Sequence, residues 1–201
     1  MFLFLSGPNK NRMKYLICLL SILLLPSYRI LAQNIYATQK GVVTFFAEAP
    51  VADVDARNEK VKVELNAETK ELSFHVTMAD FDFKNDKMGR DADKKYLERE
   101  KYPKASFKGK VDTKIDYGKP GKYSASVTGT LTIHGTEKKI TEKGTIIVQE
   151  KQVILKSDFY ALLKDYNIET PKILGKEMTA DKVLVKVYAT LAAQTGLAKK
   201  K

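Results

Sequence analysis

The side chains of this chain best equipped for chemistry are two histidines, His75 and His134, and a run of acids, Asp80, Asp82, Asp86, Asp91 and Asp93. A histidine pair suggests zinc or general-base chemistry, and clustered carboxylates suggest calcium binding or paired acid–base catalysis. Neither pattern closes. Zinc needs three or four converging nitrogen, sulfur or oxygen ligands, and the single cysteine, Cys18, lies far upstream in an apolar run. With Gly89 as the turn glycine of a calcium loop, the first and twelfth positions fall on Lys84 and Lys95, where oxygen ligands are required. No G-x-S-x-G elbow, H-E-x-x-H helix or phosphate-binding loop is present. The expectation is therefore no catalytic residue, no metal and no cofactor. The acidic run reads as a solvated loop, and an enzymatic reading would rest on His134 alone.

The element that carries His134 is informative. From Tyr123 the chain alternates Tyr123, Ala125, Val127, Gly129, Leu131 and Ile133 against Ser124, Ser126, Thr128, Thr130, Thr132 and His134. Side chains alternate across a strand, so this is one long strand with an apolar and a polar face. His134, like His75 in its own strand, belongs to the polar parity and is expected to point outward, its ring bonding a loop carbonyl beside Gly135.

The same period of two recurs in runs divided by turn residues. Strands are expected at 42–48, around 61–65, at 72–78, 104–113, 123–133, 140–148 and 152–156, with a last one carrying Val183, Val185, Val187, Ala189 and Leu191. "NAETK" joins the second and third into a hairpin. Two stretches break the alternation. "NDKMGRDADKKYLEREKYP" spaces Met88, Ala92 and Tyr96 by four, which predicts a short amphipathic helix ending at or before Tyr102-Pro103. "LLKDYNIETPKILGKEM" predicts a loop with a helical turn. The fold class is all-β, a single domain of about eight antiparallel strands, either a sandwich or a closed barrel.

Small residues favour the barrel. Ala105 and Gly109 share the inward face of one strand with Phe107, and Ala125 and Gly129 share that of the next. They either leave interior volume free or mark bends where the sheet curves. An eight-stranded barrel has an interior just wide enough to be filled by side chains or to hold one small ligand. The expected lumen lining is Phe45, Val63, Phe74, Val76, Phe107, Val127, Leu131, Ile133, Val185 and Val187, with Gly109 and Gly129 opening the space. Such an uncharged lining calls for an oily ligand. Met88, Tyr96, Tyr102, Tyr160 and Tyr166 are expected around the mouth, where their polar tips would meet a head group.

The amino-terminal 32 residues stand apart. Lys10, Arg12 and Lys14 precede an apolar run from Tyr15 to Leu25, too short to span a bilayer, and Ile30-Leu31-Ala32 offers a cleavage site before Gln33. Either Met1 or Met13 can start such a secretory signal peptide. Residues 33–201 would then form the mature domain, about 169 residues without a cysteine, held by core packing alone in a periplasmic or secreted setting. The formal charge of +11 falls to +7 once the four basic residues of the leader are removed. Lysines are spread over many strands and end in the tail Lys199-Lys200-Lys201, which predicts a solvated basic surface with weak attraction to anionic membranes rather than a nucleic-acid groove.

"GTLTIHG" (129–135), "YLEREKYPKASFKGK" (96–110), "APVADVDARN" (49–58) and "LKDYNIETP" (163–171) together resemble the YceI family of secreted bacterial proteins, lipocalin-like polyisoprenoid-binding barrels. The resemblance covers nearly the whole of residues 33–201. It implies an extended eight-stranded antiparallel lipocalin-like β-barrel, no catalytic apparatus, and an isoprenoid or other long-chain amphiphilic lipid held in the lumen for transport, storage or sequestration. The acidic "DADKK" of the short helix departs from the family pattern. The competing expectation is a secreted stress-related or interaction module whose barrel is packed solid and which acts through its basic outer surface.

Overall fold

The two-faced segment that ends at His134 forms a strand of thirteen residues, Gly121–Ile133, and its neighbours repeat the same logic around a closed ring. The computed structural model describes residues 35–47, 54–169, 172–173, 176–177 and 181–194. The predicted leader, residues 1–32, and the lysine tail lie outside the described residues. In chain order the strands are β1 (Ile35–Ala47), β2 (Val54–Asn66), β3 (Glu71–Thr77), β4 (Asp82–Phe83), β5 (Lys104–Val111), β6 (Gly121–Ile133), β7 (Thr136–Val148), β8 (Gln152–Leu162), β9 (Lys172–Ile173), β10 (Lys176–Glu177) and β11 (Lys182–Ala193).

Eight of them close on themselves. The order β1-β11-β8-β7-β6-β5-β3-β2 is completed by a pairing of β1 with β2, and every pairing is antiparallel. Closure pairs the strand edges, except along part of β7 and β8, which is how an all-β chain limits the exposure of unpaired backbone donors and acceptors. The short β4 adds beside the start of β2, and β9 pairs only with β10. The strands run longer than alternation alone suggests. β1 starts at Ile35 rather than at 42, because Thr38 to Gly41 contains a register shift that breaks the period of two. Gly41 sits inside this irregularity. A Cβ there would lie 2.9 Å from Val63 Cγ2 and 3.0 Å from the Val61 carbonyl oxygen.

The β2–β3 hairpin at "NAETK" is fixed by Asn66, whose side-chain oxygen accepts from the N–H groups of Glu68 and Thr69 at 2.9 and 3.0 Å. Such local bonding is why asparagine favours turns. The chain then reaches β5 through the helix α1 (Asp86–Ala92) and a wider π-type turn (Asp93–Leu97). This helical segment stops earlier than Pro103 would enforce. Glu98 adopts a left-handed conformation, φ 42°, and its N–H closes onto the Asp93 carbonyl. The Asp93 carboxylate accepts from the Arg99 N–H at 3.0 Å and pairs with the Arg99 guanidinium at 2.9 Å, which holds its pKa below the usual aspartate value. The expected helical turn in the later interruption is a 3₁₀ turn at Leu163–Tyr166.

The two ends of the barrel are packed differently. At one end Val61, Val63, Leu65, Leu72, Val111, Val148, Val153, Ala189 and Leu191 fill the interior, several of them with no exposed surface. Ile115, Tyr117 and Tyr36 pack against this plug, and burial pushes the Tyr117 phenol up to about 12. At the other end two smaller clusters form the walls. One joins Ala56, Met78 and Phe81 with Phe45 and Phe83, and the other joins Ala161, Tyr166 and Ile168 with Leu131, Ile133 and Val185. Between these clusters and the plug the interior is open.

Candidate ligand-binding cavity

The opening is a cavity of about 240 Å³, larger than the roughly 150 Å³ apolar cavity that, engineered into another protein, stays dry and takes up benzene. Phe45, Phe74, Val76, Phe107, Val127, Leu131, Ile133, Val185 and Val187 line it, joined by Leu72, Ala125, Ile146 and Leu155 as its floor. Each comes from the inward parity of its strand, so the alternation that builds the sheet also builds the apolar wall. Phe45 stacks against Phe81 and Phe83 with ring centroids 5.1 and 5.8 Å apart, and α1 rests on Phe83 through Gly89, where a Cβ would lie 2.8 Å from the ring. The helix thus backs the aromatic wall from outside, and Leu97 from the turn after it borders the cavity.

Three expected lumen residues stand elsewhere. Val63 belongs to the packed plug, 2% exposed, because the interior is full at its level. Gly109 and Gly129 face each other across β5 and β6, and neither borders the cavity. A Cβ on Gly109 would lie 2.5 Å from the Thr128 carbonyl oxygen and 2.6 Å from Phe107 Cζ, and one on Gly129 would lie 2.6 Å from the same ring atom. The space these glycines leave is occupied by the Phe107 ring and by close approach of the two backbones. Of the small residues on these faces it is Ala105 and Ala125 that border open volume.

The expected mouth also separates. Tyr166 lines the cavity and is 3% exposed. Tyr96 packs behind it among Leu131, Ile133 and Val185 without reaching the lumen. Tyr160 lies on the outward parity of β8, 58% exposed, with the Lys182 ammonium 4.7 Å from its ring centroid. Tyr102 packs outside the lumen on His134, ring centroids 3.9 Å apart. The Met88 side chain lies outside the described residues.

The histidines divide as well. His75 is exposed on the polar parity of β3. His134, expected to face solvent, is covered, its side chain 8% exposed. It falls one residue beyond β6 in a left-handed turn, φ 52°, which swings the ring against Tyr102 and places Nε2 2.9 Å from Glu98 Oε2. A carboxylate rather than the expected loop carbonyl is its partner. Among the described residues no three His, Cys, Asp or Glu side chains converge to hold a metal ion.

Two features of the site escape a reading by apolar parity. β7 pairs with β6 along its whole length but with β8 only from Thr145↔Lys156 to Val148↔Val153, so the wall parts beyond that point. At the branch the Ser157 hydroxyl donates to the Lys143 carbonyl at 2.7 Å, and Gly144 lets the two backbones stay in close approach up to the point of parting, since a Cβ there would lie 2.5 Å from the Lys156 carbonyl oxygen. The 163–168 segment closes the split. It buries Tyr166 and Ile168, pairs Asp165 with Lys138 of β7, and donates from Asn167 Nδ2 to Thr136 Oγ1 at 3.0 Å. The second feature is Glu142, which shares the inward parity Ile140, Glu142, Gly144, Ile146 and borders the cavity beside the split. Burial raises its pKa above 4.5. Burial, with Asp165 and Glu142 nearby, pushes the Tyr166 phenol up to about 12.

A closed antiparallel barrel of eight strands, plugged at one end and hollow at the other, defines a lipocalin-like barrel with an apolar cavity. The sequence model of the YceI-like domain matches residues 36–191, and the chain belongs to that family. No curated protein matches it. Among solved structures it is similar to a polyisoprenoid binding domain from Saccharophagus degradans implicated in plant cell wall breakdown, with TM-score 0.67 and 14% identity over 81% of this chain and 99% of that one. It is also similar to BcnA of Burkholderia cenocepacia, with TM-score 0.61 and 18% identity over 77% of this chain and 97% of that one. At these identities the likeness shows the shared fold.

Proposed function

We propose that the protein is a non-catalytic carrier that holds a long-chain lipid, of the isoprenoid class or a similar amphiphile, in the hollow end of its barrel. The observation that carries this reading is the cavity itself, about 240 Å³ and walled by apolar side chains from seven of the eight barrel strands. Burial of a methylene stabilises by about 0.8 kcal/mol, so ten methylenes inside would contribute about 8 kcal/mol before ordering costs. The polyisoprenoid binding named for the Saccharophagus degradans domain supports the same class of ligand for this barrel. Residues 1–32 supply a secretory leader in this reading, and the carrier works in the periplasm or outside the cell. Its basic surface gives weak, salt-sensitive attraction to anionic membranes where cargo is exchanged.

Organic extraction of the purified protein followed by mass spectrometry tests the reading. A hydrophobic molecule recovered in near-stoichiometric amount is expected, and Val127→Trp, which fills the lumen, should abolish its recovery while the protein stays folded. Repeated isolation of an empty barrel that also refuses added lipid would overturn the reading.

A further inference from the structure

Among the described residues that line the cavity, one charged side chain is of inward parity. Glu142 follows Ile140 and precedes Gly144 and Ile146 on the inner face of β7, level with the parting of β7 and β8. A carboxylate only accepts hydrogen bonds, and one facing an apolar space needs a donor. Among the described residues the fold supplies none, and at its intermediate exposure the carboxylate is left to water. Glu142 takes part in none of the hydrogen bonds or ion pairs of the described residues. Among the described residues the nearby cations are engaged or turned outward: Lys138 pairs with Asp165, and Lys143 and Lys156, which border the cavity at the parting, are exposed on the outward parity of their strands. Tyr166, which also borders the cavity, is close enough for the Glu142 charge to help raise its phenol pKa.

An unpartnered acid here serves no packing purpose, since glutamine or an apolar residue would fill the same place at lower desolvation cost. Its effect on a guest is selective. A head that donates would complete the carboxylate, whereas an anionic head would be repelled within a space of low dielectric. Resting on the lipid-carrier reading, we infer that Glu142 is a head-group-selecting residue: it places a neutral donor or cationic head, a hydroxyl or an amine, at the β7–β8 parting and excludes lipids ending in carboxylate or phosphate. The protein's outer surface would attract anionic lipids, so the inner carboxylate sets a choice opposite in sign to the net charge.

The test is displacement of a neutral fluorescent hydrocarbon, diphenylhexatriene, from delipidated protein by dodecylamine, dodecanol and dodecanoate, which share one tail and differ in the head. Wild type should bind the amine and the alcohol about tenfold or more tighter than dodecanoate, tenfold being 1.4 kcal/mol. Glu142→Gln should bring dodecanoate within about threefold of the alcohol and weaken the amine by about tenfold. Dodecanoate bound by wild type as tightly as the alcohol, or an unchanged ranking in the variant, would overturn the assignment while leaving the carrier reading intact. Failure of all three to displace or bind would instead strike the carrier reading. The wild-type comparison stands alone if the variant does not fold.

Discussion

Glu98 and His134, 36 residues apart, meet at 2.9 Å on the outside of the barrel, away from the cavity. The contact joins the end of the helical segment to the β6–β7 turn, and Gly135, φ 71°, completes it by leaving room for the Tyr102 ring, which a Cβ would approach to 2.8 Å. The histidine is therefore a clasp between "YLEREKY" and "TIHG", and its chemistry is structural. Hydrogen bonds to charged groups contribute about 1.5–3 kcal/mol, less where the carboxylate is partly solvated, as Glu98 is.

His134→Ala should accordingly lower stability by about 1–2 kcal/mol without changing the lipid recovered on extraction. Hydrogen exchange should rise first in residues 86–102, the segment the clasp holds down. Loss of bound lipid with unchanged stability would contradict the assignment of His134 to the scaffold.

Much of this architecture is legible in the alternation. The inward residues of β3, β6 and β11 follow from a period of two, because a half-buried strand must sort apolar from polar side chains. What alternation leaves ambiguous is whether a small inward residue makes a void or admits a neighbour. Ala105 and Ala125 border the cavity, whereas Gly109 and its cross-strand partner Gly129 are covered by Phe107, two residues before Gly109, a fact that depends on a side-chain rotamer. Glu142 was visible as the one acid in an apolar series, but it takes the split between β7 and β8 to show that the series faces a partly open wall. Tyr102 lies outside any strand and has no parity, and Tyr160, on the outward parity of β8, lies beyond the 152–156 stretch in which the alternation is plain. Their positions come from the turn at His134 and from the register of β8.

Gly129→Ala distinguishes close packing from open volume. The added methyl would meet Phe107 Cζ at 2.6 Å and Gly109 Cα at 2.5 Å, so a loss of about 1–3 kcal/mol is expected from overpacking. Adding Phe107→Leu should restore only part of it, because the backbone of β5 remains in the way. Full recovery in the double variant, read by chemical denaturation, would mean that the ring alone occupies the space.

The acid-dependence of folding should carry two signatures of opposite sign. Burial raises the Glu142 pKa above 4.5, so the folded chain binds this proton more readily than the unfolded chain. That contribution is fully present below 4.5 and is lost as pH rises through the folded value. Glu142→Gln should thus melt higher than wild type at neutral pH, and the two should converge below 4.5. Asp93 runs the other way. Its bond to Arg99 lowers its pKa below 3.8, so its contribution is present above 3.8 and is lost as pH falls through the folded value. Asp93→Asn should melt below wild type at neutral pH and converge with it only in stronger acid. Thermal melts of the three proteins across the acid range separate the two windows.

In the carrier reading, the parting of β7 and β8 is the lateral exit for cargo, and the 163–168 segment covers it. Two polar contacts pin that segment to β7: Lys138 to Asp165, and Asn167 Nδ2 to Thr136 Oγ1. Lys138 is 43% exposed at its side chain, and partly exposed pairs of this kind contribute about 0.2–1 kcal/mol. Removing both with Lys138→Ala and Asn167→Ala should therefore cost little global stability. The segment should still dock through Tyr166 and Ile168, whose burial is apolar, but it should lift more often. Since affinity changes in related complexes fall mostly on dissociation, the double variant should release a fluorescent lipid into acceptor vesicles several-fold faster in stopped flow, with its thermal midpoint nearly unchanged. An equal rate in the two proteins would place the exit elsewhere, with the packing of Gly89 on Phe83 the next place to loosen.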